Sequence, residues 1–132
     1  MQDNISDMLT RIRNGQKANL HEVDLYCPTP KICLNILNVL YKEGYIRGLK
    51  KIHINKKLLI KVLLKYHIQG NPVIRKIERV SKPGRRAYTP IKALWKVKSG
   101  SGIFVLSTPK GILTDNDARF KNTGGEVLFY IA

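Results

Sequence analysis

The sequence predicts an α+β protein of two small domains. The first is an N-terminal α/β unit in the order helix-strand-helix-strand-strand; the second is mostly β with one short helix. Three observations predict this. Apolar residues recur at helical spacing twice before Gly44 and then give way to β-rich runs. From Val73 onward the chain reads as short strands broken by Gly and Pro turns, apart from one stretch near Thr114 with helix-capping chemistry. Between the two regimes stands Gln69-Gly70-Asn71-Pro72, two strong breakers together, which separates residues 1–68 from residues 72–132.

Each element of the first part has its own warrant. Ile5, Met8, Leu9 and Ile12 share one helical face, so a helix is expected over 5–13, capped by Asn4 and ended by Asn14-Gly15. Arg11 and Arg13 point away from that stripe. Val23, Leu25 and Cys27 alternate with Asp24 and Tyr26, the pattern of a short strand. Thr29-Pro30 suits an N-cap and first helical position. The helix it opens carries Ile32, Cys33, Ile36, Leu37 and Leu40 and stops at Gly44. Residues 46–54 and 58–66 are β-rich runs around Asn55-Lys56-Lys57, a hairpin.

In the second part, residues 73–80 read as a strand with basic residues between apolar ones. Ser81-Lys82-Pro83-Gly84 is a turn, Arg85-Arg86-Ala87-Tyr88 is extended and basic, and Ile91, Leu94 and Trp95 suggest a helical turn. Ser99-Gly100-Ser101-Gly102 is a bend; no Gly-Lys-Ser/Thr opens a helix after it, so it is not a phosphate-binding loop. Residues 103–108 and 112–113 read as strands around Pro109-Lys110-Gly111. Thr114-x-x-Asp117 caps a short helix ending near Asn122, and residues 126–132 close the chain as an apolar strand.

Charge narrows the function. Among 132 residues, 24 Lys and Arg face 9 Asp and Glu, a formal net charge of +15. Between Gly44 and Thr114 the one acid is Glu78, against seventeen Lys and Arg. Solubility does not require so one-sided a segment. A polyanion partner does, nucleic acid before an anionic membrane surface. With 43% hydrophobic residues the chain can bury cores and is no disordered basic tail. Cys27 and Cys33 are the two cysteines, and His21, His53 and His67 are scattered. That is neither a zinc pattern nor a disulfide framework, so both thiols read as reduced. No metal or cofactor is called for. The N-terminus MQDNISDML is neither a signal nor a transit peptide.

The stretch VLSTPKGILTD, residues 105–115, admits two chemistries. Ser107-x-x-Lys110 matches the S-x-x-K pattern of acyl-serine enzymes. That chemistry needs a base and an oxyanion hole, and Pro109 removes one backbone N–H inside the motif. The expectation is therefore a protein without enzymatic activity or small-molecule substrate. The other chemistry is RNA contact. Ser107 and Thr108 hydroxyls can donate to phosphate or 2′-OH oxygens, Lys110 adds a charge, and Gly111 permits close backbone approach. Tyr88 beside Arg85 and Arg86 offers a stacking face amid cations.

The stretches SDMLTRIRNGQ (6–16), RVSKPGRRAY (79–88), STPKGILTD (107–115) and GGEVLFYIA (124–132) resemble, in order and spacing, the ribosomal protein S-eight family of the small subunit. The resemblance spans nearly the whole chain. It implies two small RNA-contacting domains and primary binding to an irregular helix in the central domain of small-subunit rRNA. It also implies neighbouring small-subunit proteins, with the S-five family as the expected one, and no membrane. By position, the family's hydroxyl-bearing loop falls on Ser107, Thr108 and Pro109, continuing into Lys110 and Gly111. Tyr88 and Glu126 match positions near the same RNA surface, with Glu126 either accepting from a base or buttressing the loop; Arg86 stands beside them in a pair, Arg85-Arg86, more basic than the family's common Leu-Arg. Lys31, Arg13 and Asn14 match an N-terminal RNA-facing side, and Lys56 joins them. Pro109 departs from the family's third hydroxyl. The other reading in this class is a translational repressor binding an mRNA that imitates the rRNA site. A peripheral membrane binder would need a basic amphipathic helix, which neither helix supplies. The abundance of Ile, Lys, Asn and Tyr, with no transit peptide, points to an organelle-encoded mitochondrial member or to an AT-rich bacterium.

Overall fold

The structure is a computed structural model, and it describes residues 4–26, 30–90, 93 and 101–132. The chain divides into two compact units, Asn4–Arg75 and Lys76–Ala132.

The first unit begins with α1, Asn4–Lys17. Met8, Leu9 and Ile12 are buried, as their spacing requires. Each such side chain contributes roughly 1.5–3 kcal/mol when withdrawn from water. The helix runs through Asn14-Gly15, where the sequence predicts its end. Packing explains the difference. A Cβ on Gly15 would collide with the Val23 side chain and lie 3.0 Å from Leu64 Cδ1. Glycine here lets the helix approach the sheet; it does not stop the helix. The stop comes at Asn19, whose φ is 56°. Leu20 N–H donates to Gly15 O at 3.0 Å and Asn19 N–H to Gln16 O at 3.2 Å, a Schellman closure.

α2, Pro30–Lys42, closes the same way at Gly44 (φ 82°), with Tyr45 N–H on Leu40 O at 2.9 Å. Gly44 was the expected stop. Cys33, Ile36, Leu37 and Leu40 are buried, whereas Ile32 is exposed at the edge of the stripe. The Thr29 cap and Cys27 lie outside the described residues.

Both helices pack on an antiparallel sheet of β1 (Glu22–Tyr26), β2 (Ile46–Ile54) and β3 (Lys57–Leu64), ordered β1-β3-β2. Ile60, Val62 and Leu64 of the central strand are buried at alternate positions. Between them Lys61 pairs with Asp24 at 3.1 Å and Glu22 at 3.4 Å. These hydrogen bonds, Asp24's first, hold its ammonium above the ordinary 10.5. The stabilisation is therefore complete below pH 10.5 and lost only as pH rises through the raised value, so it is constant near neutrality. The β2–β3 turn has two residues, Asn55 (φ 48°) and Lys56 (φ 66°), the type I′ geometry of tight hairpins. β3 thus starts at Lys57, one residue before the sequence suggests.

Residues 66–74 are fastened to this first unit. Pro72 bridges to Tyr66, His67 N–H donates to Asn71 O at 2.8 Å, and Val73 N–H to Lys65 O at 3.1 Å. The buried Gln16 accepts Ile74 N–H at 3.3 Å. Of the expected strand 73–80, Ile77–Arg79 is strand, and Lys76 and Val80 continue its backbone hydrogen bonds to Ala132 and Leu128, whereas Val73 and Ile74 are committed upstream.

The second unit contains β4 (Ile77–Arg79), β5 (Tyr88–Thr89), β6 (Ile103–Thr108), β7 (Gly111–Thr114), α3 (Asp115–Phe120) and β8 (Gly125–Ile131). The sheet order is β4-β8-β6-β7, and β5 also pairs with β8. Leu106, Leu113 and Ala118 form a core against Phe104 and Val127, and Val105, Phe129 and Ile131 are fully buried. Thr114 caps α3 by accepting Asp117 N–H at 3.1 Å, as the sequence predicts. Asp115 is buried, paired to Arg119 at 3.0 Å and accepting Phe104 N–H at 3.3 Å. The helix ends at Asn122 (φ 55°), with Thr123 N–H on Ala118 O at 2.9 Å. The turn expected at 91–95 and the start of the bend at Ser99-Gly100 fall outside the described residues, apart from Ala93.

Candidate nucleic-acid interface

Strand register assembles the site in the second unit. Glu126 on β8 lies opposite Tyr88 on β5 and opposite Ser107 on β6. Directly opposed residues of antiparallel strands share a face, their Cβ atoms about 5 Å apart. Tyr88, Glu126 and Ser107 therefore form one row across three strands, and Ile112 of β7, paired with Ser107, extends it. Tyr88 is 71% exposed, so its ring is presented to solvent and not half in a core.

Glu126 is the keystone of the row. Its side chain is only 16% exposed. It accepts a short hydrogen bond from the Ser81 hydroxyl and one from Arg86 Nη1 at 3.0 Å. Ser81, buried, in turn accepts Ala87 N–H at 3.1 Å. Between Ser81 and Ala87 the chain makes a tight turn, in which Lys82 and Arg85 exchange hydrogen bonds at 3.0 and 2.9 Å. The carboxylate thus holds the basic 81–87 loop beside Tyr88. Of the two roles the sequence allowed Glu126, the geometry supplies a buttress. Sequence reasoning missed Ser81, because a serine at a turn carries no sign of a partner 45 positions away.

The hairpin tip is equally specific. Thr108 and Gly111 pair across a two-residue turn at Pro109-Lys110, and Gly111 has φ 117°, open to glycine and strained for other residues. The Thr108 hydroxyl donates to Gly111 O at 2.8 Å and accepts Lys110 N–H at 3.1 Å. Its donor is spent on the turn, leaving one lone pair for a ligand. Ser107 has no hydroxyl partner among the described residues, so it is the hydroxyl free to donate. Lys110 Nζ donates to Lys121 O at 2.7 Å, not to Ser107, so the S-x-x-K spacing makes no nucleophile–base pair. Thr108→Val should cost about 1 kcal/mol and loosen the tip. Amide hydrogen exchange checks it: Lys110 N–H should exchange faster, and unchanged protection would remove Thr108 from this role.

Lys31, Arg13, Asn14 and Lys56 belong to the first unit. Lys31 opens α2, Arg13 and Asn14 lie late in α1, and Lys56 tips the β2–β3 turn, so three separate elements carry them. Lys31, Asn14 and Lys56 are exposed and Arg13 is half-buried. Asn14 lines an open cavity of about 550 Å³ between α1 and β1, with Arg11, Leu20, Glu22 and Asp24. The two carboxylates there make it less suited to a polyanion than the second unit's row.

The family model described as Ribosomal protein S8 matches residues 3–132. The small ribosomal subunit protein uS8 of Nitrobacter hamburgensis is 51% identical over 130 residues, covering 98% of this chain and 96% of that protein. The protein of the same name from Erythrobacter litoralis is 50% identical over 128 residues, covering 97% and 95%. That of Rhodopseudomonas palustris is 52% identical over 130 residues, covering 98% and 96%.

Proposed function

The chain belongs to the ribosomal protein S8 family, structural and non-enzymatic constituents of the small ribosomal subunit, and from that premise we propose that it binds small-subunit rRNA first-hand, gripping an irregular helix of the central domain through its second unit. The observation that supports this most is the Tyr88–Glu126–Ser107 row. It puts an exposed ring and a free hydroxyl on one sheet face, flanked by the basic 81–87 loop and by Lys110 at the hairpin tip. An A-form duplex offers protein its shallow minor groove and 2′-hydroxyls, which a hydroxyl donor and a close backbone suit. Where the helix is irregular, an unstacked base offers a face to Tyr88. Arg86, Arg85 and Lys110 position the body on phosphates and make binding salt-dependent.

Lys31, Arg13, Asn14 and Lys56 are proposed as a secondary set of phosphate contacts on the first unit. The S-five family is the proposed protein neighbour. The relatives named above are bacterial and lend nothing to the mitochondrial expectation; they favour the bacterial cytoplasm.

Footprinting the purified chain on naked small-subunit rRNA tests the reading. Protection of a discrete central-domain helix at moderate salt is expected. Equal affinity for that RNA and for random duplex would refute it.

A further inference from the structure

Phe120 is left unexplained by the fold. It is the last residue of α3 and is 89% exposed, while Ala118 two positions earlier is fully buried. A phenylalanine so placed contributes nothing to the core. Three features around it bear on what it does. First, Lys110 reaches from the hairpin tip to the carbonyl of Lys121, the residue next to Phe120, at 2.7 Å. The ring is therefore carried on a turn tied to the tip of the RNA-facing hairpin. Second, several carbonyls at this helix end are covered. Ala118 O accepts Thr123 N–H, Arg119 O accepts Asn122 N–H, and Lys121 O accepts the lysine ammonium. These bonds, the lysine's charge above all, offset part of the negative end of the helix. Third, Lys121 follows the ring in sequence and the Lys110 ammonium sits on the Lys121 carbonyl, so cations are near, and of α3's two carboxylates Asp115 is buried under Arg119. Asp117 is the exposed one, a turn earlier.

A protein partner would want a contiguous apolar patch. Among the described residues of the second unit the other exposed large apolar side chains are Val80 and Tyr88, on other elements. A lone exposed ring beside basic residues suits instead a nucleobase, whose π-face stacks on the ring while the neighbouring phosphates meet the lysines. We propose that Phe120 is a second stacking platform, which receives an unpaired base of the bound rRNA and extends the site from the hairpin tip across the end of α3. This rests on the rRNA-binding reading above and adds a position of recognition to it.

The test uses the full chain and a central-domain fragment of small-subunit rRNA carrying 2-aminopurine at each unpaired position in turn. Phe120→Ala and Phe120→Leu should each weaken binding about tenfold, the scale of one stacked base, with melting temperatures unchanged because the ring is exposed. Phe120→Trp should bind at least as tightly as the native chain. One labelled position should be quenched by the native chain and by Phe120→Trp, but not by Phe120→Leu. If the native chain binds the fragment and Phe120→Leu matches it in affinity and quenching, the stacking role is overturned and the rRNA reading stands. If the native chain does not prefer the fragment over random duplex, both fall.

Discussion

Gly125→Ala should unfold or severely weaken the second unit, with a loss of about 3 kcal/mol or more. A Cβ at Gly125 would run into the carbonyl oxygen of Ser107 and come within 3.0 Å of that residue's carbonyl carbon and 3.1 Å of Thr108 Cα. All three atoms are backbone, so no side chain can swing aside. β6 cannot retreat either, because it is held between β8 and β7. Overpacking a well-packed site typically costs 1–3 kcal/mol, and a clash confined to backbone belongs at or beyond the top of that range. A loss of this size should lower the melting temperature by roughly 10 °C or more. It should also spread the β6–β8 pairing that sets Ser107 opposite Glu126, so rRNA affinity should fall even at temperatures where the variant is folded. Gly84→Ala is the control: a Cβ there meets nothing within 4 Å, and its melting temperature should not move. If the two variants melt alike, the close approach of β8 to β6 is not a constraint on the fold.

Periodic features were legible in the sequence. The stripes of α1 and α2 follow from their spacing, the stop at Gly44 from its lack of a side chain, and the cap at Thr114 from its hydroxyl three positions before Asp117. What escaped depends on partners far along the chain. Gly15 looks like a helix stop until Val23 is seen against it. Val73 and Ile74 look like the start of a strand until Lys65 and Gln16 are seen to claim their amides. The candidate residues on the hairpin were found as a set, but not the arrangement that joins them to Glu126. That depends on register, and β6 slips against β8 between Val105 and Leu106, a shift that nothing in either strand's sequence announces. Thr108 shows the same limit at short range. Its type suggested a hydroxyl for RNA, whereas the turn it sits in consumes the donor.

Glu126→Ala gives the sharpest contrast between charge and geometry. On charge alone, deleting a carboxylate from a surface proposed to meet a polyanion should tighten binding to any RNA. The hydrogen bonds argue the reverse for the proper target. The carboxylate is the acceptor for Ser81, which is buried, and for Arg86 at 3.0 Å, and through Ser81 it fixes Ala87 N–H. Removing it leaves a buried hydroxyl without its acceptor and frees the 81–87 loop, a cost of about 2 kcal/mol given that hydrogen bonds to charged groups count for more than neutral ones. With the loop loose, Arg86 and Tyr88 would no longer be held at fixed positions for the proposed RNA contact. Affinity for the central-domain helix should drop about tenfold, while affinity for a regular duplex, which depends on net charge and not on the row, should hold or rise. Glu126→Gln should fall between, because its carbonyl can still accept from Ser81 while its amide hydrogens face the Arg86 donor. Binding measured on both RNAs at one salt concentration decides it. Tighter binding of Glu126→Ala to both would reduce Glu126 to a bystanding charge, and the loop would need some other support.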